Sequence, residues 1–245
     1  MHRFFCPAPP ISGNKIIIND KEKIHHLRDV LRLKPGEKVV LFDGKGSEYI
    51  TEIEKLSPQG ILLKIKDRYM CQTTKKFRLT IACAIPKKSK MDDIIDKLTQ
   101  LGVDRIIPLE TERVIIKLNR HKEGLRHERW KRIAISAAQQ SQRNTAPIIE
   151  PIRDIKEVLS ASGDFDLKLI PTLTGERKAL REAFLASKPK NVLVLIGPEG
   201  DFTDEEVDLA KESGCLAVSL GDFVLRVETA AVAVASFIRL LYENS

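Results

Sequence analysis

From Phe77 onward the chain alternates short apolar runs with helix-patterned segments, and that alternation restricts the fold more than any other feature. Residues 79–85, 105–109, 148–149, 167–173, 192–196 and 216–220 read as strands. Residues 91–101, 123–142 and 176–186 read as helices, with further helices opening at Asp154 and Thr203 and an Ala-rich one closing the chain. Such alternation predicts an α/β domain with a largely parallel sheet. Ile94, Ile95, Leu98 and Leu101 give the first helix its inward face, and Gly102 stops it. Trp130, Ile133, Ala134, Ala137 and Ala138 mark the buried side of the long one.

The stretch 191–231 carries the densest pattern. The run 192–196 has the length of a buried strand and stops at Gly197-Pro198-Glu199-Gly200. Thr203 with Glu206 predicts a capping box, and Gly214 a left-handed helix stop. The run 216–220 is the next strand, ended by Gly221 and followed by Arg226, Glu228 and Thr229. Two consecutive strands thus open into glycine loops at their carboxyl ends, the edge where open α/β sheets hold ligands. Glycine lets backbone groups approach a ligand without an intervening Cβ, which suits a flat heteroaromatic such as adenine. Two ordinary tight turns are the plainer reading of such loops. The polar residues around both of them favour a ligand site.

The first seventy or so residues are built differently. Residues 16–18, 39–42, 49–53 and 61–65 read as short strands, with turns at Pro35-Gly36 and Asp43-Gly44. Asp20 can cap a helix with Ile24, Leu27, Val30 and Leu31 on one face. The polar stretch 70–76 marks the boundary, so the expected domains are 1–72 and 73–245.

Of 245 residues, 42% are hydrophobic, enough for a real core. The net charge of +7 permits a nucleic-acid partner without requiring one. No run approaches the roughly 20 apolar residues of a membrane span, and no signal peptide is evident, so a cytoplasmic protein is expected. Cys6, Cys71, Cys83 and Cys215 are scattered and form no CxxC pair or Cys/His cluster. They read as reduced packing thiols, and no metal site is expected.

Three polar clusters stand outside the glycine loops. Arg3, Arg28 and Arg32 lie around the small domain's helix, where helical spacing puts Arg28 and Arg32 on one face to contact phosphates or simply to be solvated. His26 fits a packing or a backbone-bonded role. Lys87, Lys88 and Lys90 precede a helix, where cations oppose the helix dipole, which points to an external anion such as RNA phosphate or again to solvation. The run from Gln139 to Asn144, with Arg143 in it, either reads a base edge or is a frayed helix end.

With these residues in view, the chain resembles the RsmE-type 16S ribosomal RNA methyltransferases of the SPOUT superfamily. The matching segments are RFF near the start, HHLRDVLRLKPGEKVVLFDGKG, KMDDIIDKLTQLGVDRIIPLETER, QQSQRN, LIGPEGDFTDEEV and SLGDFVLRVETAA, ordered along nearly the whole chain. IGPEG followed by the LG, LR and ETA elements is specific as a pair. The resemblance implies a carboxyl-terminal α/β trefoil-knot methyltransferase domain and a small amino-terminal PUA-like β-barrel that binds RNA. It implies a homodimer that uses S-adenosylmethionine to methylate N(3) of one uridine near the 3′ end of 16S ribosomal RNA in the small subunit.

Carried across, the donor would be held by Thr172 and Leu173, by Ile196, Gly197, Pro198, Glu199 and Gly200, by Leu220, Gly221, Val224 and Leu225, and by Thr229. Arg226 and Glu228 would stand beside the transferred methyl as catalytic residues, with Glu228 fixing the Arg226 guanidinium or accepting a proton. Arg3, Arg28, Arg32, Lys88, Lys90 and Arg143 are the candidate RNA contacts. The chain departs from the family pattern at Asp201, where a second glycine is common, at Asp222-Phe223, which replaces a Pro-Arg pair, and at Gln139 and Gln142. The competing readings are a non-catalytic RNA-binding protein on the same scaffold and a SPOUT methyltransferase acting on another RNA. Neither GxxxxGK[ST] nor GxGxxG is present to suggest another nucleotide-binding enzyme.

Overall fold

The structure is a computed structural model and describes residues 1–70, 76–87, 90–113, 120–173 and 175–243. Lys88, Cys71 and the boundary expected at residue 72 lie outside the described residues. The chain forms two compact units, one of residues 1–74 with 138–146, the other of residues 75–137 with 147–245.

The first unit holds β1 (His2–Phe5), β2 (Ile11–Ser12), β3 (Lys15–Ile18), α1 (Lys21–His25), β4 (Lys38–Phe42), β5 (Ser47–Ser57) and β6 (Gly60–Met70). Its six-stranded sheet runs β1-β4-β5-β6-β3-β2, antiparallel except for β1 beside β4. Asp20 caps α1 as expected, accepting from the backbone of Glu22 and Lys23 at 3.0 and 3.2 Å. The helix does not carry its pattern through to Leu31. After His25 the chain widens into a π-helical turn, His26–Val30, closed by Leu31 N donating to His26 O at 2.9 Å. The extra residue per turn rotates Val30 out to solvent while Ile24 and Leu27 stay in the core. β5 and β6 also outrun their hydrophobic pattern. Pairing continues to Ser47↔Met70 beyond the buried part, because ladder bonds need only backbone.

Residues 138–146 belong to this unit. Gly46 N donates to Asn144 O, Ala146 N to Gly44 O, and Phe5 N to the Gln139 side chain at 3.4 Å. Gln142 stands at φ 60°, so the long helix ends before it.

The second unit holds β7 (Arg78–Ala84), α2 (Lys90–Gln100), β8 (Arg105–Glu110), α3 (Arg120–Gln140), β9 (Ile148–Ile149), β10 (Arg153–Asp154), α4 (Ile155–Ser160), β11 (Leu167–Pro171), β12 (Lys178–Ala179), α5 (Leu180–Ser187), β13 (Asn191–Ile196), α6 (Asp204–Glu212), β14 (Leu216–Ser219) and α7 (Val227–Glu243). The last three residues of α3 fall in the first unit. The sheet order is β10-β8-β7-β13-β11-β14-β12, with β9 beside β8, and every pairing is parallel. One core lies against α2, α5 and α7, the other against α4 and α6, so the central strands are apolar on both faces. Ala231 and Ala235 are fully buried within this core, where their small size lets α7 lie close to the sheet and α2. Cys6, Cys83 and Cys215 are buried free thiols.

Candidate functional site

Parallel pairing brings the carboxyl ends of β13, β11 and β14 to one edge. Register places Leu169 opposite both Val194 and Leu216, so the three following loops begin almost level. Together they border a cleft open to solvent at this edge of the sheet. Pro171 to Leu173 form one wall, Ile196 to Glu199 with Asp201 a second, and Leu220, Gly221 and Phe223 to Leu225 with Val227 and Ala230 close the third side.

Two of the loops are held by hydrogen bonds from near and far in the sequence. Arg177 Nη1 donates to Thr172 O at 3.0 Å. Arg113 Nη1 donates to the carbonyls of Gly200 and Phe202. Asp201 accepts from Phe202 N and Leu173 N, both at 2.9 Å. Thr203 and Glu206 form the expected capping box, and Glu206 also accepts from Glu112 N at 2.9 Å. Glu206 is thereby tied to the chain after β8 and is buried with its hydrogen bonds made.

The glycines serve distinct ends. Gly221 has φ +112°, and a Cβ there would meet no atom within 4 Å, so the backbone conformation itself requires glycine. Gly197 is outside the left-handed region. A Cβ there would meet the Phe202 ring at 3.1 Å and the Asp201 carboxylate at 3.3 Å. Its small size accommodates its own loop, a second reason for glycine beside the ligand approach expected from the sequence. In this loop the left-handed residue is Asp201, at φ 61°. That explains why a glycine suits the position.

Charged groups gather beside the cleft at the end of β7. Glu199 accepts from Lys87 N at 3.2 Å. Glu228, in the first turn of α7, accepts from Lys90 Nζ at 2.7 Å. That bond, ahead of the more distant charge of Arg226, holds the Glu228 carboxyl below its ordinary range. The partner of Glu228 is therefore Lys90, where the sequence suggested Arg226. The second oxygen, Oε2, is buried with no hydrogen-bond partner among the described residues. The Arg226 side chain is exposed and has no ion-pair partner among the described residues. Cys83 lies beneath, its thiol pushed well up by burial and then by the charges of Glu199 and Glu228. It is no nucleophile at neutral pH.

Such a cleft offers backbone donors and acceptors, apolar walls and a nearby cation–carboxylate pair. It suits a flat heteroaromatic ligand with a polar tail. No group of three or more His, Cys, Asp and Glu residues positioned for a metal occurs among the described residues.

A family model described as an RNA methyltransferase domain matches residues 73–239, and one described as an RNA methyltransferase PUA domain matches 18–66. The chain is 31% identical over 241 residues to ribosomal RNA small subunit methyltransferase E of Rickettsia conorii, covering 98% of this chain and 96% of that one. The chain belongs to this methyltransferase family. The Bacillus subtilis member is 30% identical, with 85% of this chain and 84% of that one aligned. The crystal structure of the Neisseria gonorrhoeae member, bound to S-adenosyl methionine, superimposes with TM-score 0.86 at 31% identity over 99% of this chain and 98% of that one. The chain is thus an RNA methyltransferase whose α/β domain is accompanied by a PUA domain.

Within this methyltransferase, Thr172, Leu173, Ile196, Gly197, Pro198, Glu199, Leu220, Gly221, Val224 and Leu225 line the cleft. Gly200 and Thr229 do not: Gly200 turns its carbonyl to Arg113, and Thr229 is exposed on the first turn of α7. Arg3, Arg28, Arg32 and Arg143 lie in the first unit. Arg3 is largely buried over the Phe42 ring, with Nη1 on Glu48 at 2.8 Å. Arg28 makes a two-pronged bond to Asp29. Arg32 sits past the π turn at φ 54°, so the shared helical face expected for Arg28 and Arg32 does not form. His26 is exposed and meets the Phe4 ring edge-on at 5.9 Å. Sequence reading missed Arg113 and Arg177, whose guanidinium groups reach loop carbonyls that no local pattern announces. Asp201 carried a legible signal, its place in a glycine position.

Proposed function

We propose that this chain transfers a methyl group from S-adenosylmethionine to N(3) of a uridine near the 3′ end of 16S ribosomal RNA in the small ribosomal subunit. The observation that carries this reading is the three-loop cleft with Arg226 and Glu228 at its edge, in a chain of this family. When bound, the donor supplies an electrophilic methyl on a sulfonium centre. The walls formed by Thr172, Leu173, Ile196 to Glu199, Leu220, Gly221, Val224 and Leu225 fit its adenine and ribose, with Gly221 leaving open space above the backbone.

Displacement at a methyl group is governed by alignment, so the protein's first task is to hold the uracil ring in line. The second concerns the N(3) proton, which must leave before the nitrogen can attack. The exposed Arg226 guanidinium is suited to stabilise the imidate charge spread over uracil O2 and O4. Glu228 is kept ionised by Lys90, and its carboxylate is the candidate proton acceptor. Lys90 thereby organises Glu228, with RNA phosphate as its second expected contact.

Arg3, Arg28, Arg32 and Arg143 in the PUA-like unit, with Lys88, are proposed to face RNA, and the exposed Arg32 is the least encumbered among the described ones. A homodimer is supported by an outward apolar stripe on α7, Ala233, Phe237 and Leu240, at helical spacing. A ribosomal substrate fits a cytoplasmic activity. The test is methyl transfer from labelled S-adenosylmethionine to small subunits lacking the modification, beside free 16S ribosomal RNA, with mass spectrometry of the digested product. A single 3-methyluridine near the 3′ end, in subunits only, is the expected result. Methylation of another RNA or base would replace the substrate assignment. Absence of both transfer and donor binding would favour an RNA-binding scaffold.

A further inference from the structure

We propose that Asp201 is a positioning residue that sets the width of the donor cleft by tying the loop after β11 to the loop after β13. The inference rests on reading the cleft as the S-adenosylmethionine site. β11 and β13 are paired only from Leu167↔Val192 to Leu169↔Val194. Beyond that point β11 pairs with β14, at Ile170↔Ala217 and Pro171↔Val218, while β13 continues beside β7 to Ile196↔Cys83. The two strands have parted where the ligand walls begin, and the cleft is the gap between them.

Asp201 bridges that gap. Its Oδ2 accepts from Leu173 N on one wall and its Oδ1 from Phe202 N on the other, each at 2.9 Å. Both bonds have an ionised acceptor and so are stronger than neutral ones. The anchors of the separate walls do not span the gap. Arg177 holds Thr172 O, and Arg113 holds the carbonyls of Gly200 and Phe202. Leu173 is 46% exposed, so its N–H would otherwise turn to water.

Backbone conformation points the same way. Asp201 stands at φ 61°, a conformation glycine adopts freely and a side chain resists. A residue kept there against that preference contributes through its side chain, and what this side chain does is join the two walls. Leu173 and Asp201 both line the cleft, so the tie acts on the groups that would touch the donor.

The experiment compares the full chain with Asp201→Gly and Asp201→Asn. Glycine relaxes the backbone and removes the tie, whereas asparagine keeps one accepting oxygen. Calorimetric titration with S-adenosylmethionine is expected to show affinity about tenfold weaker in Asp201→Gly, with Asp201→Asn intermediate. The donor KM should rise in parallel, while kcat at saturating donor stays within about twofold of wild type, because loosened walls still close on a donor in excess. Unchanged donor affinity in Asp201→Gly would overturn the inference alone. So would a fall in kcat at saturating donor together with a lowered melting temperature, the mark of a merely structural residue. Absence of donor binding by the wild-type chain would overturn the site reading and this inference with it.

Discussion

Gly197→Ala is the sharpest test of how the cleft is built. The new Cβ would lie 3.1 Å from both Cδ2 and Cε2 of Phe202 and 3.3 Å from Asp201 Oδ1. Comfortable carbon–carbon contact begins at about 3.5 Å, so the ring must retreat by a few tenths of an ångström. It has little room. Phe202 is 4% exposed and packs in the core layer that also holds Leu195, Ala210 and Cys215. Overpacking a filled core costs about 1–3 kcal/mol. Against this, replacing glycine where φ is compatible lowers unfolded-state freedom and returns about 0.4–1 kcal/mol. The net expectation is a loss of about 1–2 kcal/mol, which for a chain of this length lowers the melting temperature by about 2–8 °C. Donor affinity should fall too, because the displaced groups include the carboxylate that reaches Leu173. The assay is thermal and urea unfolding of Gly197→Ala, Phe202→Leu and the double variant, each also titrated with S-adenosylmethionine. A smaller side chain at 202 gives the new methyl somewhere to go, so the double variant should be more stable than the sum of the singles by about 1 kcal/mol. Additive effects would refute the packing argument. So would a fully stable Gly197→Ala that no longer binds donor, since the glycine would then exist for the ligand's approach, with Val at this position as the more severe form of the same block.

Other expectations concern the charged edge and the first unit. Arg226→Ala should lower kcat about 10²-fold or more while leaving calorimetric donor affinity near wild type, and equal losses in folding, binding and turnover would reduce Arg226 to a structural brace. Lys90→Met removes the bond that keeps Glu228 below its ordinary carboxyl range. Glu228 then ionises only at higher pH, so the acid limb of the kcat profile should move upward, and an unmoved limb would exclude Glu228 as the base. Neutralising Arg3, Arg28 and Arg32 together should weaken subunit binding and flatten its salt dependence by up to about one unit of slope per lost phosphate contact. An unchanged slope would take this face out of the RNA interface, and Arg3→Gln alone is expected to contribute least, since Glu48 and Phe42 already engage it.

Much of this architecture was readable from residue order alone, and the readable parts share a cause. The Thr203–Glu206 capping box, the Asp20 and Asp154 caps, and the left-handed glycines Gly214 and Gly221 depend on residues within one turn of each other. Strand and helix periods depend on which side faces the core. The edges were less legible. The π turn after His25 and the extension of β6 to Met70 are backbone choices that hydrophobic spacing does not encode. The family motifs located the cleft loops themselves, because those loops are continuous in sequence.

What holds the loops together was decided only in three dimensions. Asp201 reaches Leu173 across 28 positions, Arg113 reaches Gly200 across 87, and Lys90 reaches Glu228 across 138. None of these pairs can be inferred from spacing, since each exists only because the sheet order sets β11 between β13 and β14 and β7 beside β13. The same holds for residues 138–146, whose backbone hydrogen bonds go to the Gly44–Gly46 turn of the first unit. The sequence by itself determined the α/β class, the two kinds of domain and the glycine loops, because local backbone preference and side-chain period specify them. The tertiary structure decided which carboxylate meets which cation and why Gly197 and Asp201 stand where they do, because those answers depend on the distance between chain segments that only the folded sheet brings side by side.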